Sequence, residues 1–180
     1  MKQRQQKKLS RRLFGAIVVG DTGVVRAVLR AGADPGRADS EGTTPLYAAS
    51  VNGEAAIVRL LLAAGAFPGV ESSGIGAEGL PLCAAACWGH AETVRALLAH
   101  GAHPNVREDH GTGRSPLEWA DNGPHPETAA LLTEAGASAG HDGYSGTAGH
   151  VGAARAGGVP AYGGTLARPA RADSGVVAGP

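Results

Sequence analysis

Four stretches of the chain share one order of apolar and polar positions: "VVRAVLRAGAD" (24–34), "IVRLLLAAGAF" (57–67), "TVRALLAHGAH" (93–103) and "TAALLTEAGAS" (128–138). Apolar residues recur at helical spacing, as in Ile57, Val58, Leu61 and Leu62, or Val94, Leu97 and Leu98. A Gly-Ala pair ends each run. The pattern predicts a short amphipathic helix that stops at Gly65 or Gly101, where a left-handed C-cap is easiest for glycine. Three other stretches, "TPLYAA" (44–49), "LPLCAA" (80–85) and "SPLEWA" (115–120), predict a preceding helix. Its first position is Pro45, Pro81 or Pro116, where the missing N–H would be unpaired anyway. It stops at Gly53 or Gly89. Thr44 and Ser115 can cap that helix. Leu80 cannot, a loss of ~1 kcal/mol.

The phase of these pairs is regular. From Pro45 to Gly65, Pro81 to Gly101 and Pro116 to Gly136 is 20 positions each time. The connectors vary: Gly32 to Pro45 is 13 positions, Gly65 to Pro81 is 16 and Gly101 to Pro116 is 15. Rigid units joined by variable loops predict a solenoid. Neither helix of a unit is long enough to stand alone in water, so burial between neighbours must stabilise it.

The units read "GTTPLYAASVNGEAAIVRLLLAAGA" (42–66) and "GLPLCAAACWGHAETVRALLAHGA" (79–102). They follow the pattern G-x-T-P-L-H-x-A-A, then G-H, then I/V-V-x-x-L-L, then G-A. On these residues the chain resembles the ankyrin-repeat family, from about Arg12 to Ser138. The resemblance implies an all-α solenoid of about four helix-turn-helix units, 12–38, 39–71, 75–108 and 110–138, with projecting hairpin loops. The first and last units would act as caps. It implies protein binding rather than catalysis. The family histidine after T-P-L is Tyr47, Cys83 and Glu118 here, which removes the usual bracing of that turn. The last unit also departs, with Pro124 and Pro126 at its inter-helix turn and Thr133 where other units have Leu62 and Leu98.

The opening "MKQRQQKKLSRRLFGAIVVGD" has a basic stretch before an apolar one, the order of an export signal. A shift of 33 positions gives another reading. Leu13 falls on Leu46, Phe14 on Tyr47, Ala16 on Ala49, Gly20 on Gly53 and Gly32 on Gly65. The apolar stretch is short, ends at Asp21 and lacks an A-x-A-like cleavage site. It therefore reads as the first helix of the first unit. Residues 1–11 read as a disordered basic leader, and the location as cytoplasmic. After Ser138 the pattern stops. Residues 139–180 are mostly Gly, Ala, Pro and Ser, and read as a disordered tail. A weak contact through Tyr144, Tyr162, Arg155, Arg168 or Arg171 is the sharper alternative to a dispensable extension.

Composition narrows the chemistry. The 180 residues carry no formal net charge, so bulk charge selects no nucleic acid or anionic membrane. Two cysteines are too few for a disulfide framework. No apolar stretch is long enough for a transmembrane helix. Cys83, Cys87 and His90 lack the second ligand pair of a zinc site, so no metal or other cofactor is expected. No G-x-S-x-G, H-E-x-x-H or phosphate-binding loop occurs, so no enzyme activity is expected.

Binding residues follow from the resemblance. It places Val51 and Asn52, Cys87 and Trp88, and Asn122 on the concave groove, at the ends of first helices. Trp88 is either an interface anchor or a ring laid flat on the neighbouring unit. Trp119 reads as covering the poorly filled end of the stack. The finger loops "DSEGT", "SSGIGAEG" and "EDHGTGR" add Ser40, Glu41, Ile75, Glu78, His110, Thr112 and Arg114. The expected function is a monomeric module that binds one partner protein through groove and fingers. The alternative is binding of nucleic acid or an anionic surface by the basic leader. The leader has no aromatic for base stacking, which disfavours nucleic acid.

Overall fold

The computed structural model of the chain describes residues 2–74 and 76–138. The tail over 139–180 and the finger residue Ile75 lie outside the described residues. Among the described residues, eight helices of seven or more residues stack in two layers. The first layer holds α1 (Lys2–Val19), α3 (Pro45–Val51), α5 (Pro81–Cys87) and α7 (Pro116–Asn122). The second holds α2 (Thr22–Arg30), α4 (Ala55–Ala63), α6 (Ala91–Ala99) and α8 (Pro126–Glu134). Each first-layer helix packs on its own second-layer partner and on the next helix of its layer. The core runs between the layers through Leu13, Ile17, Val25, Ile57, Leu61, Leu82, Val94, Leu97 and Leu132, all fully buried. This is the expected all-α stack. Among the described residues, its one sheet is a finger hairpin, β1 (Ser72–Gly74) and β2 (Ala77–Gly79), antiparallel with Ser73 opposite Glu78.

The helix ends follow the glycines. Gly32, Gly65, Gly101 and Gly136 have φ of 87°, 98°, 84° and 94°. After each one the alanine N–H reaches back across the turn. Ala33 donates to Val28, Ala66 to Leu61, Ala102 to Leu97 and Ala137 to Leu132, at 2.8–3.2 Å. The same closed turn therefore ends all four second-layer helices and pairs carbonyls that the helix cannot. At the other ends Thr44 accepts from the Tyr47 N–H, and Ser115 forms a capping box with Glu118. Leu80 makes no side-chain cap, as its apolar side chain dictates.

Neighbouring units complete what each unit lacks. The buried Thr44 N–H donates to Ser72 Oγ at 3.4 Å, and the Leu80 N–H to Glu108 Oε1 at 3.3 Å. Both acceptors lie 28 residues downstream, on the next finger. Ser115 takes its acceptor from its own unit, Glu118 Oε2 at 2.8 Å. Two histidines brace the inter-helix turns. The Nε2–H of His90 donates to the Val51 carbonyl, and that of His125 to the Cys87 carbonyl, both at 3.0 Å. The rings sit where a Cβ at Gly53 or Gly89 would clash. The residues replacing the family histidine are also bonded. Tyr47 Oη–H donates to the Glu78 carbonyl at 3.0 Å and the Cys83 thiol to the Arg114 carbonyl at 3.8 Å. So Tyr47 and Cys83 brace across units, whereas Glu118 braces the Ser115 turn within its own unit.

One expectation is corrected. Residues 2–11 are not a disordered leader but the first half of α1. The reason is a buried stripe, Leu9, Ser10, Leu13, Ala16 and Ile17, which continues the core contact upstream. Gln6 fastens it. Its side-chain amide donates to the Gly32 carbonyl at 2.7 Å, and its Oε1 accepts from the Asp34 N–H at 3.3 Å. Asn105 clasps the Gly136 turn in the same way, through the Gly136 carbonyl and the Ser138 N–H. Gln6 thus does for the first unit what a loop residue of the preceding unit does for the last.

Two glycine replacements separate turn from helix. Gly65→Ala has space for its methyl group but the wrong φ. It should lower stability by about 1 kcal/mol. Gly15→Ala, inside α1 with nothing near its Cβ, should raise stability by about 0.5–1 kcal/mol. Denaturant midpoints of the two variants check both signs.

Candidate protein-binding face

The sequence-derived candidates fall into two strips at opposite ends of the first-layer helices. Val51, Asn52, Cys87, Trp88 and Asn122 close the C-terminal ends of α3, α5 and α7. Glu41, Glu78, His110, Thr112 and Arg114 lie in the fingers that lead into the N-terminal ends. A seven-residue helix separates the strips by about 10 Å at 1.5 Å per residue. Between them α5 is closed, with Pro81 to Ala86 all buried.

Trp88 is the C-cap residue of α5, and 45% of it is exposed. Its backbone N–H donates to the Ala84 carbonyl at 3.2 Å. Gly89 then turns with φ 69°, and His125 locks the adjacent Cys87 carbonyl. The indole is therefore presented from a fixed backbone. Asn52 and Asn122 are exposed, while Val51 and Cys87 are half-buried. The row has two members that the sequence reading missed. Val18 and Val19 end α1 and are 53% and 72% exposed. The 33-position shift puts them on Val51 and Asn52, which was signal enough to find them.

The finger candidates are less alike. Glu41, Glu78, His110 and Thr112 are exposed. Thr112 is tied down, since its hydroxyl donates to the Asp109 carbonyl at 2.8 Å. Arg114 is half-buried, and its guanidinium lies 4.8 Å from the centre of the Trp119 ring. Trp119 fills space at the last first-layer helix, as expected. It also donates through Nε1–H to Glu108 Oε2 at 2.7 Å.

Glu108 is a further residue the sequence reading did not single out. It begins a turn, Glu108–Gly111, in which Asp109 and His110 take left-handed φ of 50° and 55°. Glu71 holds this turn by accepting from the Asp109 N–H at 2.8 Å. Burial pushes the Glu108 carboxyl up to about 7, helped by the charges of Glu71 and Asp109. The bonds from Trp119 and Leu80 oppose the rise without cancelling it. Cys83 lies against the same carboxylate. Burial, then Glu108, pushes its thiol up, so it stays protonated. Burial also raises Cys87. Neither thiol is an activated nucleophile. No group of three or more His, Cys, Asp or Glu among the described residues is placed to hold a metal.

Stacked helix pairs, glycine-closed turns and a histidine-braced first layer form a recurring architecture. Residues 13–108 match a family model described as ankyrin repeats, in three copies. The chain belongs to the ankyrin-repeat family. No curated protein matches it. The fourth helix pair lies beyond the matched residues. Its sequence departs from the pattern, with Pro124 where Gly53 and Gly89 stand, yet α7 and α8 pack on α5 and α6 as the earlier pairs do. Ankyrin repeats are protein-binding scaffolds without catalytic machinery. No helix among the described residues is long and apolar enough to cross a membrane.

Glu108 makes stability depend on pH. The carboxyl titrates at 4.5 in the unfolded chain and near 7 in the folded one, so the native state holds the extra proton between these values. Its stabilising contribution is full below pH 4.5 and is lost as pH rises through 7. Going from about pH 8 to pH 5 should raise unfolding free energy by on the order of 2–3 kcal/mol. Glu108→Gln should flatten that dependence, as urea titrations across the range would show.

Proposed function

We propose that this ankyrin-repeat chain binds one partner protein as a monomer. The partner would sit on the row Val51, Asn52, Cys87, Trp88 and Asn122, flanked by finger residues Glu41, Glu78, His110, Thr112 and Arg114. One observation carries the reading: a tryptophan, half in water, at the centre of a row of helix ends whose backbone is held by the next repeat. Trp is among the residue types most enriched at interface hot spots, because it buries a large ring at little entropic cost. A ring needed only for packing would be covered by its neighbours. We place the encounter in the cytoplasm, where thiols stay reduced, since Cys83 and Cys87 are both free.

Trp88→Asp should weaken the native partner's affinity by about 2 kcal/mol or more while the melting temperature holds. Affinity capture from the native cell identifies the partner, and calorimetry on the purified pair gives the number. Unchanged affinity in a folded variant would mean that the binding face lies elsewhere.

A further inference from the structure

The corrected first helix carries a charge pattern with no internal purpose. Arg4, Lys7, Lys8, Arg11 and Arg12 follow an i, i+3, i+4, i+7, i+8 spacing, which puts them on one face. All five are exposed, and together they line one shallow depression. The buried stripe through Leu9, Leu13 and Ile17 lies on the other side of the helix. No carboxylate among the described residues pairs with any of the five; the ion pairs there involve Arg59, Arg95, Arg107 and His110. The arrangement also works against the helix. Like charges three and four residues apart repel, and the first turn has no acidic residue to offset the helix dipole. No counter-charge among the described residues offsets this repulsion, which leaves the face open to an external anion.

The same exposed face decides what kind of anion. Past Arg12 it continues through Gly15 to Val18 and Val19, both exposed, and those valines open the row that leads to Val51 and Trp88. From Arg4 to Val19 the face is about 22 Å long at 1.5 Å per residue. It is cationic over its first half and apolar over its second. A nucleic-acid backbone has nothing to place on the apolar half. An acidic protein segment with adjoining apolar residues matches both halves.

We propose that the exposed face of α1 docks such an acidic–apolar segment of the partner. Its carboxylates meet Arg4, Lys7, Lys8, Arg11 and Arg12, and its apolar side chains cover Val18 and Val19. The inference rests on the reading of the Trp88 row as a protein-binding face, and gives the chemistry of what enters it from the N-terminal end.

The test uses the full chain and fluorescence anisotropy with four labelled probes. These are a twenty-residue peptide with Asp and Glu in one half and Leu in the other, its scrambled version, a Lys-for-acid version, and a single-stranded oligonucleotide. The block peptide should bind, the scrambled one more weakly and the Lys version not at all. Raising salt from about 50 to 200 mM should weaken the block peptide, because the contacts are exposed. Lys7→Glu with Lys8→Glu and Arg11→Glu should weaken it about tenfold or more. Val19→Asp should weaken it several-fold. Should the charge reversals disturb α1 by circular dichroism, the Gln replacements at the same positions relieve the repulsion and serve instead. A block peptide that fails to bind, or binds the charge variants equally well, overturns the proposal. So does an oligonucleotide that binds as tightly as the block peptide. The Trp88→Asp result with the native partner is read separately, so loss of one reading does not hide the fate of the other.

Discussion

A helix of seven residues leaves most of its backbone polar groups without an internal partner, and three of the four first-layer helices are that short. Buried in a stack, those groups have no water to turn to. The polar contacts between repeats answer that constraint. Ser72 and Glu108 serve the N–H groups at the starts of α3 and α5, one repeat upstream. His90 and His125 serve the carbonyls near their ends. The second-layer helices are closed by their own glycine turns, two of which are clasped from outside by Gln6 and Asn105. A unit removed from its neighbours would lose these partners together with its apolar contacts. Folding is therefore a property of the stack, which is how short helices with weak individual propensity persist.

The same constraint shapes the proposed binding face. Bonds that serve the stack end at the carbonyls of Val51 and Cys87, the residues beside Asn52 and Trp88. Side chains in this row are held by backbone bonds a full repeat away, so their spacing does not rely on the fingers. The fingers have more freedom, and they use it differently. The Ser72–Gly79 hairpin is regular, whereas the Glu108–Gly111 turn is left-handed and rests on a carboxylate near its titration point. The outer surface is simpler. Arg59, Glu92, Arg95 and Glu127 form an exposed ion-pair ladder over α4, α6 and α8, a type of contact that contributes little.

Much of this was legible in the chain. The Gly-Ala phase located all four second-layer helices, and the prolines and caps located the starts of three first-layer helices, including the missing cap at Leu80. Local chemistry repeated in register is what a reader of one sequence can see. What escaped was non-local or masked by charge. Leu9 belongs to the same helical stripe as Leu13 and Ile17, but it stands among six basic residues, and composition outweighed periodicity. Glu108 follows no repeat pattern, because its role depends on Leu80 and Trp119 arriving beside it. Gln6 could be paired with the Gly32 turn only after α1 was known to continue that far. Val18 and Val19 were visible in the 33-position register but were not carried over to the groove row.

α1 runs from Lys2 to Val19 without interruption, so its outer half and its buried half form one rod. A rigid rod transmits displacement instead of absorbing it. Whatever grips the outer half acts as a lever on Leu13 and Ile17, and through them on the junction with α2 and α3. The first repeat is thereby placed mechanically in series with anything that binds at that end. Load applied at that end would reach the core of the solenoid directly, whereas load applied at a finger would first have to straighten a loop.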